Sequence, residues 1–108
     1  MSDSISLTDA DQNRSIKVPR GAVFSISLKE NPTTGFNWQL QPFPKNLLAL
    51  DSDHYALAAE SGVGGGGIRR FQFRAVSAGS ATIRLRYRRA WEPASRSARE
   101  FTIEISVE

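Results

Sequence analysis

The sequence predicts an all-β protein, and three observations predict it. Apolar and polar residues alternate with period 2 in run after run, the signature of strands with one buried face. Turn residues separate those runs at short intervals. The length, 108 residues, holds seven or eight such strands and leaves no room for a long helix. Half-buried strands in that number fit two antiparallel sheets packed face to face. The architecture expected is therefore an immunoglobulin-like antiparallel β-sandwich, with a small barrel as the alternative. Residues 1–108 read as a single domain, because this is the commonest domain length and no composition shift divides the chain.

The clearest strands follow in order. Ala22, Phe24, Ile26 and Leu28 alternate with Val23, Ser25 and Ser27. Phe36, Trp38 and Leu40 form a second run, and Phe71, Phe73 and Ala75 a third. Ile83, Leu85 and Tyr87 alternate with Arg84, Arg86 and Arg88, and Phe101, Ile103, Ile105 and Val107 close the series. Shorter candidates are Ile5 to Leu7, Ile16 to Val18 and the stretch His54 to Ala58. At Asn46 to Leu50 and Tyr55 to Glu60 a helix competes with the strand reading. Val18-Pro19-Arg20-Gly21 and Ser77-Ala78-Gly79-Ser80 are short turns, and Gln41 to Asn46 is a connection braced by two prolines.

Composition removes several function classes. Hydrophobic residues make up 40% of the chain, an ordinary globular share that excludes disorder and collagen-like repeats. The longest apolar run, Leu47 to Leu50, is far too short for a transmembrane span. Cysteine is absent, which removes disulfides, thiolate catalysis and thiolate metal ligands. Fourteen basic against 11 acidic residues leave a net charge of +3, too small to argue for a nucleic-acid partner. The first residues, Met1-Ser2-Asp3-Ser4, have neither a basic nor an apolar leader segment. The expected location is cytoplasmic for a complete chain, and periplasmic or secreted if a signal peptide has been removed.

Catalytic chemistry finds little to work with. His54 is the one histidine, and the adjacent Asp51 and Asp53 crowd it without supplying a metal-binding spacing. No Gly-x-Ser-x-Gly elbow is present. Gly62-Val63-Gly64-Gly65-Gly66-Gly67 formally matches a dinucleotide fingerprint, but a strand follows where a helix is required, and Ile68-Arg69 stands where a Walker loop needs Lys-Ser/Thr. No catalytic residue, metal or cofactor is expected. The stripe of Arg84, Arg86 and Arg88 reads as a solvated sheet face, with Glu104 able to pair with it across the sheet.

Three loops are richer than turns require. Asn31-Pro32-Thr33-Thr34-Gly35 is a tight turn in which Gly35 supplies positive φ. The glycine run loses much backbone entropy on folding, a cost that close approach of a partner to the main chain would explain. Trp91 lies in a polar stretch with Arg89, Glu92 and Pro93, where it either folds back on the core or stands out as a binding anchor.

In order and spacing these loops resemble the chagasin-like inhibitors of papain-family cysteine proteases. That family carries an Asn-Pro-Thr-Thr-Gly-aromatic loop, a Gly-x-Gly-Gly loop and an Arg-Pro-Trp loop. Asn31, Pro32, Thr33, Thr34, Gly35 and Phe36 match the first in full. The second fits Gly62 to Gly65 or Gly64, Gly65, Gly66 and Gly67, and the latter is preferred because it abuts the strand bearing Phe71 and Phe73. Arg89 and Trp91 match the third, with Ala90 in place of proline. The resemblance implies that these 12 residues bind a papain-like protease as three loops at one end of a sandwich. It implies a reversible, tight-binding competitive inhibitor acting as a monomer. Thr33 and Thr34 would lie nearest the catalytic cysteine, the glycines along the substrate-binding side, and Trp91 on the other side. The competing reading is an immunoglobulin-like structural or adhesive module with a non-protease partner.

Overall fold

The computed structural model describes residues 4–30, 35–57, 67–89 and 99–108. Its strands are β1 (Ser4–Thr8), β2 (Ser15–Val18), β3 (Val23–Glu30), β4 (Phe36–Leu40), β5 (Leu48–Leu57), β6 (Gly67–Ala75), β7 (Gly79–Arg89) and β8 (Arg99–Val107). One sheet has the order β1-β3-β6-β5 and the other β2-β8-β7-β4. With β2 set aside, these are the two sheets of an immunoglobulin sandwich. The expected β-sandwich of seven or eight strands forms, with eight strands among the described residues.

Alternation builds the core. Phe24, Ile26 and Leu28 of β3 and Phe71, Phe73 and Ala75 of β6 face inward from one sheet, all buried. Trp38, Ile83, Leu85, Phe101, Ile103, Ile105 and Val107 meet them from the other. Phe24 and Phe73 stack with centroids 5.3 Å apart, and Phe43 approaches Phe73 edge-on at 5.6 Å. Such aromatic pairs contribute about 0.5–1.5 kcal/mol beyond the burial of their area.

The sheets are mixed where wholly antiparallel ones were expected. Four pairings are antiparallel, but β1 runs parallel to β3 and β2 parallel to β8. The cause is that the N-terminal segment is shared between the sheets. It follows β3, breaks at a 3₁₀ turn over Asp9–Asp11, and returns along β8. Because β3 and β8 run in opposite directions, a segment that reverses between them lies parallel to both. Thr8 and Asp11 cap the turn reciprocally, and Asn13 completes it at φ 63°.

The two helix candidates resolve into strand and turn. Residues 48–57 form the edge strand β5, and residues 58–60 lie outside the described residues. A bulge between Leu50 and Ser52 resets the phase of β5, so alternation is lost in the sequence while pairing to β6 continues. Asp51 and Asp53, which crowd His54, are engaged by Arg74 at 3.7 Å and Arg69 at 3.0 Å. Among the described residues no helix is long and apolar enough to cross a membrane.

The stacked core predicts a large penalty for truncation. Phe73→Ala should lower unfolding free energy by about 3–5 kcal/mol in urea denaturation. A loss below about 1 kcal/mol would contradict the central place of this ring.

Candidate functional site

Strands β3, β5 and β7 end, and β4, β6 and β8 begin, at one end of the sandwich. The register makes this concrete. Glu30 and Leu57 both stand opposite Gly67, Phe36 stands opposite Arg89, and Tyr87 opposite Arg99. These six strand ends flank the three motif-bearing segments. Of the candidate residues, Gly35, Phe36, Gly67 and Arg89 are described. Asn31, Pro32, Thr33, Thr34, Gly64, Gly65, Gly66 and Trp91 lie outside the described residues.

Gly35 adopts φ 83°, the left-handed conformation expected for it. Phe36 and Arg89, paired across the ladder, also touch, with the guanidinium 4.5 Å above the ring centroid. Phe36 stacks on Tyr87 at 5.2 Å, Tyr87 meets Trp38 at 4.9 Å, and Arg99 lies 5.8 Å over Trp38. A continuous column of rings and cations thus joins the stems of the first and third motif segments. Gly67 has a reason for its size inside the chain itself. A β-carbon there would overlap the Ala56 carbonyl oxygen and approach the Tyr55 hydroxyl to 2.7 Å. Its closeness to another main chain is closeness to β5.

The centre of this end is a residue that the sequence analysis passed over. The side chain of Glu30 is fully buried. It accepts the Trp38 backbone N–H at 2.7 Å, Arg69 Nη2 at 2.8 Å, Arg69 Nε at 3.2 Å and Asn37 Nδ2 at 3.4 Å. Arg69 Nη1 also donates to Asp53 at 3.0 Å, and Tyr55 lies beneath the guanidinium at 5.5 Å. One signal was available. Glu30 continues the inward phase of Phe24, Ile26 and Leu28, and Arg69 precedes Phe71 and Phe73 in the same phase. Two opposite charges at inward positions of neighbouring strands are a buried pair in the making.

The hydrogen bonds to Glu30, ahead of those to Asp53, raise the Arg69 pKa against the opposing effect of burial. The sign follows. Stability from a raised pKa is present in full below the ordinary guanidinium value and is lost only as the pH climbs through the raised one. Arg69 therefore stays charged at every pH a protein ordinarily meets. Removing one partner of such a buried pair costs about 3–5 kcal/mol.

Two arginines of the β7 stripe have partners on the outer face. Arg86 pairs with Glu100 at 3.3 Å, and Arg88 Nη1 donates to Gln39 at 2.8 Å. Glu104, expected to serve the stripe, stands opposite Thr82. Among the described residues no group of three acidic or histidine side chains is placed to hold a metal ion.

Residues 17–105 match the chagasin family peptidase inhibitor I42. The chain belongs to the chagasin family. Membership makes it an inhibitor of cysteine peptidases and not an enzyme. It is 30% identical over 105 residues to amoebiasin-2 of Entamoeba histolytica, covering 94% of this chain and 83% of that one. Chagasin of Trypanosoma cruzi is 28% identical over 105 residues, 94% of this chain and 96% of its own. The crystal structure of a cysteine protease inhibitor from Entamoeba histolytica superposes with a TM-score of 0.85 over 97% of this chain and 95% of that one. At 24% identity, that likeness speaks for the fold.

The geometry at Gly67 yields a prediction for this chagasin-family chain. Gly67→Ala should destabilise by about 1–3 kcal/mol through overpacking, read as a lowered melting midpoint. An unchanged midpoint would mean that β5 and β6 are not this close.

Proposed function

We propose that the protein is a reversible, tight-binding competitive inhibitor of papain-like cysteine proteases, acting as a monomer with residues 1–108 as one inhibitor domain. The segments between β3 and β4, β5 and β6, and β7 and β8 enter the protease cleft. The observation that carries the reading is the convergence of all six flanking strand ends at one end of the sandwich, in a chain whose family inhibits peptidases.

Each segment has a physical task. Thr33 and Thr34 face the catalytic cysteine and occupy its surroundings. Gly64, Gly65 and Gly66 offer main chain to main chain, with no side chain to hold the surfaces apart. Trp91 is the apolar anchor, a residue type that dominates interface energies once desolvated. Asn31, Pro32 and Gly35 shape the first loop. Phe36 and Arg89 support it from below, and Gly67 ends the glycine loop in the sheet. Stems fixed before binding reduce the ordering entropy that opposes association. A contact of this kind buries about 1,600 Å² in total.

The test is papain with a fluorogenic substrate, titrated with the inhibitor, and with trypsin as control. Competitive inhibition of papain alone is expected, and no inhibition at micromolar concentration would overturn the reading. Trp91→Ala should raise the inhibition constant about 30-fold, as loss of a hot-spot residue costs about 2 kcal/mol. Ala90→Pro should lower it about two- to fivefold, because a fixed φ removes conformational freedom that the free folded loop would otherwise lose on binding, an effect of about 0.4–1 kcal/mol. An unchanged or raised constant would exclude a preorganising role for position 90.

A further inference from the structure

The residues that meet on Glu30 are the ones that bracket the motif segments. Glu30 immediately precedes residues 31–34, and Asn37 and Trp38 follow them closely. Asp53 lies on the strand that enters the glycine segment, and Arg69 on the strand that leaves it. One carboxylate and one guanidinium therefore tie both stems of the first segment to both stems of the second. Trp38 extends the connection. Its indole N–H donates to the Lys29 carbonyl at 2.8 Å, and its ring meets Tyr87 and Arg99 on either side of the third segment.

Stability alone does not call for such a pair. Apolar residues of similar volume usually hold a buried position as well as ions or better, because the ions must be desolvated. What an ion pair whose carboxylate accepts from four directed donors adds is direction, since its hydrogen bonds weaken steeply with angle and distance. Apolar contacts allow strand ends to slide, whereas these bonds set their separation.

Building on the inhibitor reading, we infer that Glu30 and Arg69 are positioning residues that keep the first loop an obstacle to the protease and stop it from becoming a substrate. A cysteine protease cuts a peptide that lies extended through its cleft. Its thiolate attacks the peptide carbonyl, the amine leaves with a proton, and water hydrolyses the thioester to free acid and thiol. A loop with stems held at a fixed, short separation does not reach that extended geometry. Released stems let it do so.

The deciding variant is the double replacement Glu30→Leu with Arg69→Met, which removes both charges and keeps apolar volume. It is expected to fold with a melting midpoint close to that of the wild type, the relieved desolvation of the two charges offsetting the unpaired Trp38 N–H. It should nevertheless inhibit papain at least tenfold more weakly, and mass spectrometry after several hours with active papain should find it cut within residues 31–35. The wild type should remain whole. A double variant that is stable, uncut and within twofold of the wild-type inhibition constant would overturn the assignment. Glu30→Gln gives the same decision if the double variant does not fold, because the amide still accepts from Trp38 while the ion pair is lost. Weaker inhibition with cleavage supports the assignment, and wild-type behaviour overturns it. A wild type that does not inhibit papain at all would sink the inhibitor reading itself, an outcome separate from these.

Discussion

The buried carboxylate of Glu30 joins three strands from two sheets at the end where the motif segments leave the sandwich. It accepts from Trp38 on β4, across the gap between the sheets, and from Arg69 on the neighbouring β6. Sandwich ends are where packing runs out, since each sheet twists away from the other and the apolar alternation stops. A charge placed there must be desolvated, and only several good hydrogen bonds make that tolerable. Glu30 has them, and the consequence is an end whose stems stand at set distances. The column from Arg89 through Phe36, Tyr87 and Trp38 to Arg99 adds a second tie, between the first and third segments.

Function follows from this division of labour. The core of Phe24, Phe71, Phe73, Phe101 and the β-branched residues of β7 and β8 supplies stiffness. In the proposed reading, the loop end uses that stiffness to present its three segments to a protease. At the opposite end the chain is stitched by its own backbone. Arg20 N–H donates to the Glu108 carbonyl, Gly21 N–H to Ala75, and Val76 N–H to Leu47. On the basic outer face, Arg86 pairs with Glu100 and Arg88 with Gln39.

Much of the fold was legible because period 2 reports burial directly. The alternations of β3, β6, β7 and β8 appear residue for residue on the inward face. Strand direction was not legible, because alternation is the same for parallel and antiparallel partners, so β1 and β2 were readable as strands but not as parallel ones. The strand β5 was obscured by its bulge, which shifts Asp53 and Tyr55 into the inward phase after Leu50. At the candidate site, Gly35 was readable from turn chemistry. Gly67 was readable as part of the glycine run, but not its close approach to Tyr55 and Ala56 of its own chain. The pairing of Glu30 with Arg69 was not read because scanning for apolar residues stops at a charge, although their phase already pointed inward.

The central claim is that one end of this sandwich, built before any partner arrives, carries the recognition. It is tested most directly by an amide chemical-shift footprint of the isotope-labelled protein. The partner would be papain whose nucleophilic cysteine is replaced by alanine. The account predicts perturbations in residues 31–36, 58–67 and 89–99 and at the Glu30, Trp38 and Arg69 amides beside them. Shifts elsewhere, including Arg20, Gly21 and Ser77 to Gly79, should stay unchanged. A footprint centred on the outer face around Arg84 and Arg86, or on the opposite end, would contradict the account.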